Sequence, residues 1–270
     1  MISRRSDKET EMSNIENFKK KMADGKLAKG VFVYFGDSIV SEMTGMAGYD
    51  FVWIDAEHGP LDRQEILYHI IAAKSSGCCS FIRIPIADPA YMKAIHDMGP
   101  DGLIFPFTNN RAAAELAVNG CRYPRDGGVR GQGPQRAINY GLTGEMDYIE
   151  SSRDRVFKIM QIETVEGYEN LDDIMDVDGV DSIFIGAADL SRSIEAFNMK
   201  GGKQYDLDEV YDDICKRVKA RGIPLGVACG TDREDVKVLK EKGVNWIACN
   251  NDIRCLATSL RAAIEPIMDI

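Results

Sequence analysis

The runs Val156-Phe157-Lys158-Ile159-Met160-Gln161-Ile162-Glu163 and Ser182-Ile183-Phe184-Ile185-Gly186-Ala187-Ala188-Asp189-Leu190-Ser191 decide how this chain is read. Each is an apolar β-type run that gives way to polar or acidic residues. Continuously apolar strands of this kind are covered on both faces, as parallel strands are. Two carboxylates, Glu163 and Asp189, at the ends of two successive buried strands form the skeleton of a Mg²⁺ or Mn²⁺ site, because hard divalent ions take oxygen ligands and keep several waters. Ala188, Asp189 and Leu190 read as the first turn of a helix, whose free N–H groups would hold an anion beside the ion. A metal next to such a helix end suits an α-keto acid chelated through its carboxylate and carbonyl. The plainer alternative is a solvated loop glutamate and an aspartate that merely caps a helix.

Outward from these runs, strands and helices alternate along the chain. Strands are expected at Val31–Phe35, Phe51–Asp55, Ser80–Ile84, Gly102–Phe105, Val156–Ile162, Ser182–Ile185, Pro224–Ala228 and Trp246–Cys249. Helices are expected at Ser38–Ala47, Arg63–Ser75, Pro89–Met98, Asn110–Cys121, Thr143–Ser152, Leu171–Met175, Leu207–Ala220, Arg233–Lys242 and Ile253–Ile264. A polar helix, Asn14–Ala28, with Phe18 and Met22 on one face, precedes the first strand, and Ser191–Tyr205 reads as an irregular excursion. Residues 1–14 read as a mobile tail and 15–270 as one α/β domain, a (β/α)₈ TIM barrel of the phosphoenolpyruvate/pyruvate type. A doubly wound open sheet is the alternative, but no G-x-G-x-x-G follows the first strand.

A barrel demands that chemistry collect at the C-terminal ends of its strands. The second strand ends in Asp55-Ala56-Glu57-His58-Gly59-Pro60, the third in Arg83, the fifth in Gln161 and Glu163, and the sixth runs into Asp189. Of the three histidines, His69 lies within a helix as a surface or packing residue and His96 near a helix end. His58 follows a strand directly, and a bond from Asp55 to its imidazole would leave the other ring nitrogen free to move a proton. Arg83 at a strand end would be costly to bury without an anion; it could polarise a substrate carbonyl, or pair internally with Asp55 or Glu57. Asp97 reads as a solvated residue. The Gly- and Arg-rich stretch from Arg122 to Tyr140 is too long for a simple connection and reads as a lid or subunit contact.

The chain carries 33 Lys and Arg against 43 Asp and Glu, a formal charge of −10, which argues against nucleic acid or an acidic membrane surface as partner. The seven cysteines are odd in number and without zinc spacing, a reduced set. No run approaches a membrane span and the start lacks a signal peptide's apolar core, so a cytoplasmic location is expected.

The ordered set Asp55-x-Glu57-His58-Gly59-Pro60, Arg83-x-Pro85, Arg122-Tyr123-Pro124 with Arg130-Gly131-x-Gly133, Gln161-Ile162-Glu163-Thr164 and Phe184 to Ser191 resembles the class II, metal-dependent pyruvate aldolases of the aldolase/citrate lyase group. That group includes the 4-hydroxy-2-oxoheptanedioate and 2-keto-3-deoxy-L-rhamnonate aldolases, and the likeness runs from about residue 15 to 265. The resemblance implies an aldehyde-lyase that cleaves a 4-hydroxy-2-oxo acid to pyruvate and an aldehyde and runs the reverse addition. It implies Glu163 and Asp189 as ligands to Mg²⁺, Mn²⁺ or Co²⁺, with Gln161 supporting bound waters. It places the pyruvate carboxylate on backbone N–H groups at Ala188 and Asp189, after Gly186, and Arg83 on the keto oxygen. His58, aligned by Asp55, would move the C4 hydroxyl proton, with Asp97 as a second assisting aspartate. A homohexamer with the last helix exchanged between neighbours is implied too. Departures are Ala187 where the group carries proline, and the Arg125-Asp126-Gly127-Gly128 stretch, which is longer than usual. The alternatives are a decarboxylase or CoA-thioester lyase on the same site, or a non-catalytic keto-acid-binding barrel.

Overall fold

Helix α1 (Asn14–Ala23) opens on a capping box in which Ser13 accepts from the Glu16 N–H while Glu16 reaches back to Ser13. It stops short of the expected Ala28 because Gly25 takes a left-handed φ of 71° and turns the chain into β1. The computed structural model describes residues 12–142 and 144–270, with the Asp154 side chain outside it. Most of the expected tail, residues 1–11, and Thr143 therefore lie outside the described residues.

The remaining elements alternate as β1 (Ala28–Val33), α2 (Ile39–Met46), β2 (Phe51–Asp55), α3 (Arg63–Ser75), β3 (Cys79–Arg83), α4 (Pro89–Asp97), β4 (Gly102–Phe105), α5 (Arg111–Cys121) and α6 (Glu145–Ser151). They continue as β5 (Phe157–Ile162), α7 (Val165–Glu169), α8 (Leu171–Met175), β6 (Ser182–Ile185), α9 (Ala187–Asn198), α10 (Leu207–Ala220), β7 (Leu225–Cys229), α11 (Arg233–Glu241), β8 (Trp246–Asn251) and α12 (Asp252–Ile264). The eight strands pair in chain order, all parallel, and β8 closes on β1, which makes the expected (β/α)₈ barrel.

Besides α1 and the unexpected α7, three elements differ from the expectation, each for a local reason. Strand β1 ends at Val33 because the Tyr34 and Phe35 N–H groups turn to the Asp252 carboxylate, at 2.8 and 2.9 Å. Strand β8 runs on to Asn251, which pairs with Phe32 past a register shift. The stretch expected to be irregular from Ser191 is mostly helix: α9 extends to Asn198 and buries Leu190 and Ile194 one turn apart. Only the following loop is irregular, and Asn198 ties it shut by bonding both backbone groups of Tyr205.

Side-chain alternation divides the core in two. On β2, Val52 and Ile54 point outward into a sheath of aliphatic residues shared with the helices. Phe51 and Trp53 point inward with Phe81, Phe157, Phe184 and Trp246. Phe18 of α1 closes the base of this inner core, meeting Phe51, Phe81 and Phe157 edge-on with centroids at 5.8, 5.0 and 5.8 Å. The base is thus sealed with aromatic rings, Ser182 accepting from Trp246 Nε1 among them, and the charged inward residues lie at the other end.

Candidate active site at the barrel mouth

Continuing the inward rank of each strand leads directly to the candidate site. Phe51 and Trp53 are followed on the same face by Asp55; Cys79 and Phe81 by Arg83; Phe157 and Ile159 by Gln161, with Glu163 just beyond. All four are buried, Asp55 completely. The period of two therefore places an acid, a guanidinium, an amide and a second acid around one opening.

Arg83 is held on three sides. It makes a two-pronged contact with Asp55, Nη2 to Oδ2 and Nε to Oδ1 at 3.2 Å, and Nε also lies 3.1 Å from Glu57 Oε2. Its carbon stands over the Trp53 ring at 5.4 Å. These contacts engage Nε and Nη2 and leave Nη1 out, so one edge of the guanidinium remains to meet a ligand. Burial alone would lower the Arg83 pKa, but the Asp55 hydrogen bond and the charges of Asp55 and Glu57 raise it, so the cation persists.

Asp55 does not align His58 in the expected way. Its Oδ1 accepts the peptide N–H groups of Glu57 and His58, at 3.0 and 3.1 Å, and folds the loop after β2 into a tight turn. A Cβ on Gly59 would sit 2.3 Å from the Asp55 carbonyl oxygen, so only glycine fits this turn. The imidazole is largely exposed, and its Nε2 lies 3.7 Å from Glu57 Oε2. Glu57, which sequence reasoning considered only as an alternative partner for Arg83, is thus the carboxylate facing both the guanidinium and the imidazole.

Glu163 sits in a fitted seat. The Phe107 N–H donates to Oε1 at 2.6 Å, and Gln161 Nε2 donates to Oε2. Burial raises its pKa to about 7 against the Phe107 hydrogen bond, and repulsion from Glu57 and Asp189 adds to the rise. Glu57 is likewise raised, first by burial, with Asp55 and Asp189 adding to the rise and Arg83 and His58 opposing it. Glu57, Glu163 and Asp189 therefore feel one another's charge across the mouth. Asp189 is the third residue of α9, after Ala187 and Ala188, whose N–H groups have no helical partner.

These residues fit a hard divalent cation. The donors are all oxygens, repulsion between the acids would be relieved by positive charge, and Gln161 Oε1 is buried without a partner, ready to accept from a bound water. Among the described residues, no three His, Cys, Asp or Glu side chains form a ready-made metal cage.

The structure does not bring Asp97 to this group. Its carboxyl, raised by burial, keeps company with Arg130, the Gly133 N–H and Lys93 beneath the 122–140 loop. Arg130 itself stacks on Tyr123 and Tyr148, at 4.7 and 5.6 Å, and anchors that loop. His69 is a satisfied core residue between Ser41 Oγ and the Phe35 carbonyl, and His96 is fully enclosed. Sequence reasoning missed Tyr34, whose hydroxyl feels the charge of Asp55, and Phe107, whose contribution is a backbone N–H. Alternation could have flagged Glu57, which continues the inward rank of β2; a backbone donor leaves no side-chain signal.

Residues 29–257 match the family model described as HpcH/HpaI aldolase/citrate lyase. The hydroxypyruvate/pyruvate aldolase of Roseovarius nubinhibens is 31% identical, over 92% of this chain and 95% of its own. The 4-hydroxy-2-oxovalerate aldolase of Rhodococcus jostii is 32% identical, over 93% and 95%. Among solved structures, an HpcH/HpaI aldolase/citrate lyase family protein from Burkholderia cenocepacia superposes with a TM-score of 0.83 at 26% identity, covering 94% of this chain and 99% of that one.

Proposed function

The chain belongs to the HpcH/HpaI aldolase/citrate lyase family, and on that premise we propose that it is a divalent-metal-dependent aldolase, cleaving a 4-hydroxy-2-oxo acid to pyruvate and an aldehyde and running the reverse addition. The observation that carries this reading is that the charges of Glu57 and Asp189 reach Glu163 at the barrel mouth, where Glu57 also lies 3.1 Å from the Arg83 guanidinium. Acids gathered at one mouth want a cation, and a buried arginine with a free edge wants an oxyanion.

Glu163 and Asp189 would hold the ion, Mg²⁺, Mn²⁺ or Co²⁺, which when bound supplies the Lewis-acid charge that makes the keto acid electron-withdrawing. The Ala188 and Asp189 N–H groups orient the pyruvate carboxylate, with the Gly186 turn beneath it. Nη1 of Arg83 faces the keto oxygen and stabilises the charge that grows there. His58, steered by Glu57 rather than Asp55, takes the C4 hydroxyl proton. The C3–C4 bond then breaks, its electron pair moves toward the keto oxygen as the enolate, and the aldehyde leaves; a proton returned to C3 gives pyruvate. Asp55 serves by fixing both Arg83 and the turn that carries His58.

In the same reading the enzyme is a cytoplasmic homohexamer that exchanges α12. All seven cysteines are free, which supports a reducing compartment. Beyond its first residues α12 is exposed on every side, including Ile253, Leu256, Leu260 and Ile264. Outside β8 and β1 a groove of about 560 Å³, lined by Ala47, Val236, Ile247 and Cys249 together with basic side chains such as Lys29 and Arg233, is left for a helix from a neighbour. No described helix is long and apolar enough to cross a membrane.

The test is direct. Protein freed of metal is incubated with pyruvate and several small aldehydes, with and without Mn²⁺ or Mg²⁺, and adducts are measured. Metal-dependent adducts are expected; none across the whole panel overturns the reading.

A further inference from the structure

The β7–β8 ladder ends on a pair of thiols. The two strands run parallel from the Gly226–Trp246 pair to the Cys229–Cys249 pair, where their register stops. Directly paired residues on neighbouring strands lie about 4.8 Å apart, inside the span of about 4.4–6.8 Å between α-carbons that a disulfide bridges. Paired side chains share a face of the sheet. Both thiols belong to the aliphatic sheath outside the barrel, Cys249 within it and Cys229 packed against it.

The end of the ladder leaves the two sulfurs room to close. Cys229 is the last residue of β7, and Gly230 follows it. Asn250, directly after Cys249, turns away with a φ of 65°, and the register between β8 and β1 shifts beside it. Neither strand is held in a regular ladder beyond the pair.

The two cysteines differ in access and acidity. Cys229 is half-buried and lines a chamber of about 710 Å³ at the barrel mouth, whereas Cys249 is 4% accessible. The Cys249 thiol lowers the Cys229 pKa, against burial and the Asp235 charge. Cys249 itself is raised, first by Cys229 and then by burial. The thiolate is the attacking form of cysteine, so the member of the pair that solvent reaches is also the more reactive one. Cys78, Cys79, Cys121 and Cys215 are buried, and burial raises each of them. Cys255 is exposed, on α12.

We propose that Cys229 and Cys249 form a reversible oxidation site for peroxides at the rim of the barrel mouth. It goes beyond the aldolase reading and does not depend on it. With hydrogen peroxide, the Cys229 thiolate attacks one oxygen and the O–O bond breaks. Cys229 becomes a sulfenic acid, and the departing hydroxide takes a proton to give water. The Cys249 sulfur then attacks the Cys229 sulfur, the S–S bond forms and the S–O bond breaks. The second hydroxide leaves with the Cys249 proton, again as water. The two thiols together lose two electrons and two protons to one peroxide. Only Cys229 has to meet the oxidant, so a neighbour lying in the groove beside Cys249 does not block the reaction.

Trypsin separates the pair, because residues 222–233 and 243–254 each carry a single cysteine. Fully reduced protein is treated with hydrogen peroxide, the remaining thiols are blocked, and the digest is read by mass spectrometry. The main product expected is the two peptides linked through Cys229 and Cys249, two hydrogens lighter than its separate halves and released by dithiothreitol. Cys255→Ser should keep this link. Cys249→Ala should lose it entirely and leave Cys229 as a sulfenic acid that dimedone captures. Cys229→Ser should also lose it and leave Cys249 reduced. The proposal is overturned by a wild-type protein that forms no such link, by a link that disappears in Cys255→Ser, or by Cys249 oxidised as readily in Cys229→Ser as in the wild-type protein.

Discussion

A Cβ on Gly186 would stand 2.7 Å from the Glu163 Cβ and 2.8 Å from its Oε2, so the absence of a side chain at Gly186 is what gives Glu163 its seat. The same added carbon would meet Gln161 Nε2 at 2.9 Å. Gly186→Ala should therefore displace the acid and the amide together. Overpacking of this kind costs about 1–3 kcal/mol of stability, and the larger effect is expected in turnover, which should fall at least about 10-fold because a misplaced ligand loses its geometry. Steady-state kinetics beside a thermal melt checks this; unchanged turnover would show that the seat is looser than the contacts imply.

Glu163→Gln and Asp189→Asn keep shape and remove charge. Each should weaken Mn²⁺ binding, measured by calorimetry, and lower metal-dependent turnover by at least about 100-fold, the scale of losing one electrostatic stabiliser of the transition state. Full activity in either variant would remove that residue from the ligand set.

Asp55 and Arg83 form a buried pair, and removing one partner strands the other. Asp55→Ala should destabilise the fold by about 3–5 kcal/mol in urea titration. The double variant Asp55→Ala, Arg83→Met should lose less than the sum of the single changes. Strict additivity would mean that the pair contributes no coupling.

His96 is enclosed, and burial, with Arg130 and Lys158 nearby, holds its pKa well below the usual histidine value. The unfolded chain binds a proton at this residue near pH 6.5 while the folded chain does not. The unfolded state then binds more protons, so stability rises with pH across this range and is lost as pH falls below about 6.5. The loss of melting temperature between pH 7 and 5.5 should be smaller in His96→Leu than in the wild-type protein. Equal slopes would show that other groups govern the acid limb.

Leu256 and Leu260 lie on the exposed length of α12, 48% and 61% accessible. If that helix docks on a neighbour, Leu256→Asp with Leu260→Asp should dissociate the assembly, seen by light scattering on a sizing column. An unchanged particle mass would rule out α12 as the exchanged element.

Much of the fold was legible because a strand covered on both faces must be apolar throughout, as Phe51 to Ile54 and Ile183 to Ile185 are. The strand ends were legible for the converse reason: a polar side chain such as Arg83 on an inward position needs a partner or a ligand. What could not be read was how the polar groups share their bonds. Asp55 faced a choice between the imidazole of His58 and two peptide N–H groups plus Arg83, and only the tight turn at Gly59 decides it. Helix α9 was obscured by its polar surface, since only Leu190 and Ile194 are buried, with Phe197 partly packed against the core. The short helix α7 was missed as well, five residues with only Val165 and Gly167 buried.

Below the mouth the barrel interior is packed through to its base, first by Trp53 and Phe184, then by Phe51, Phe81, Phe157 and Trp246, with Phe18 underneath. Glu163, 2% accessible, lies at the mouth end of that packed interior. Two products formed along one axis cannot pass each other in such a space. On the proposed function, the aldehyde would leave toward solvent ahead of the pyruvate and, in synthesis, arrive after it, because the aromatic packing under the site gives the keto acid no second way out.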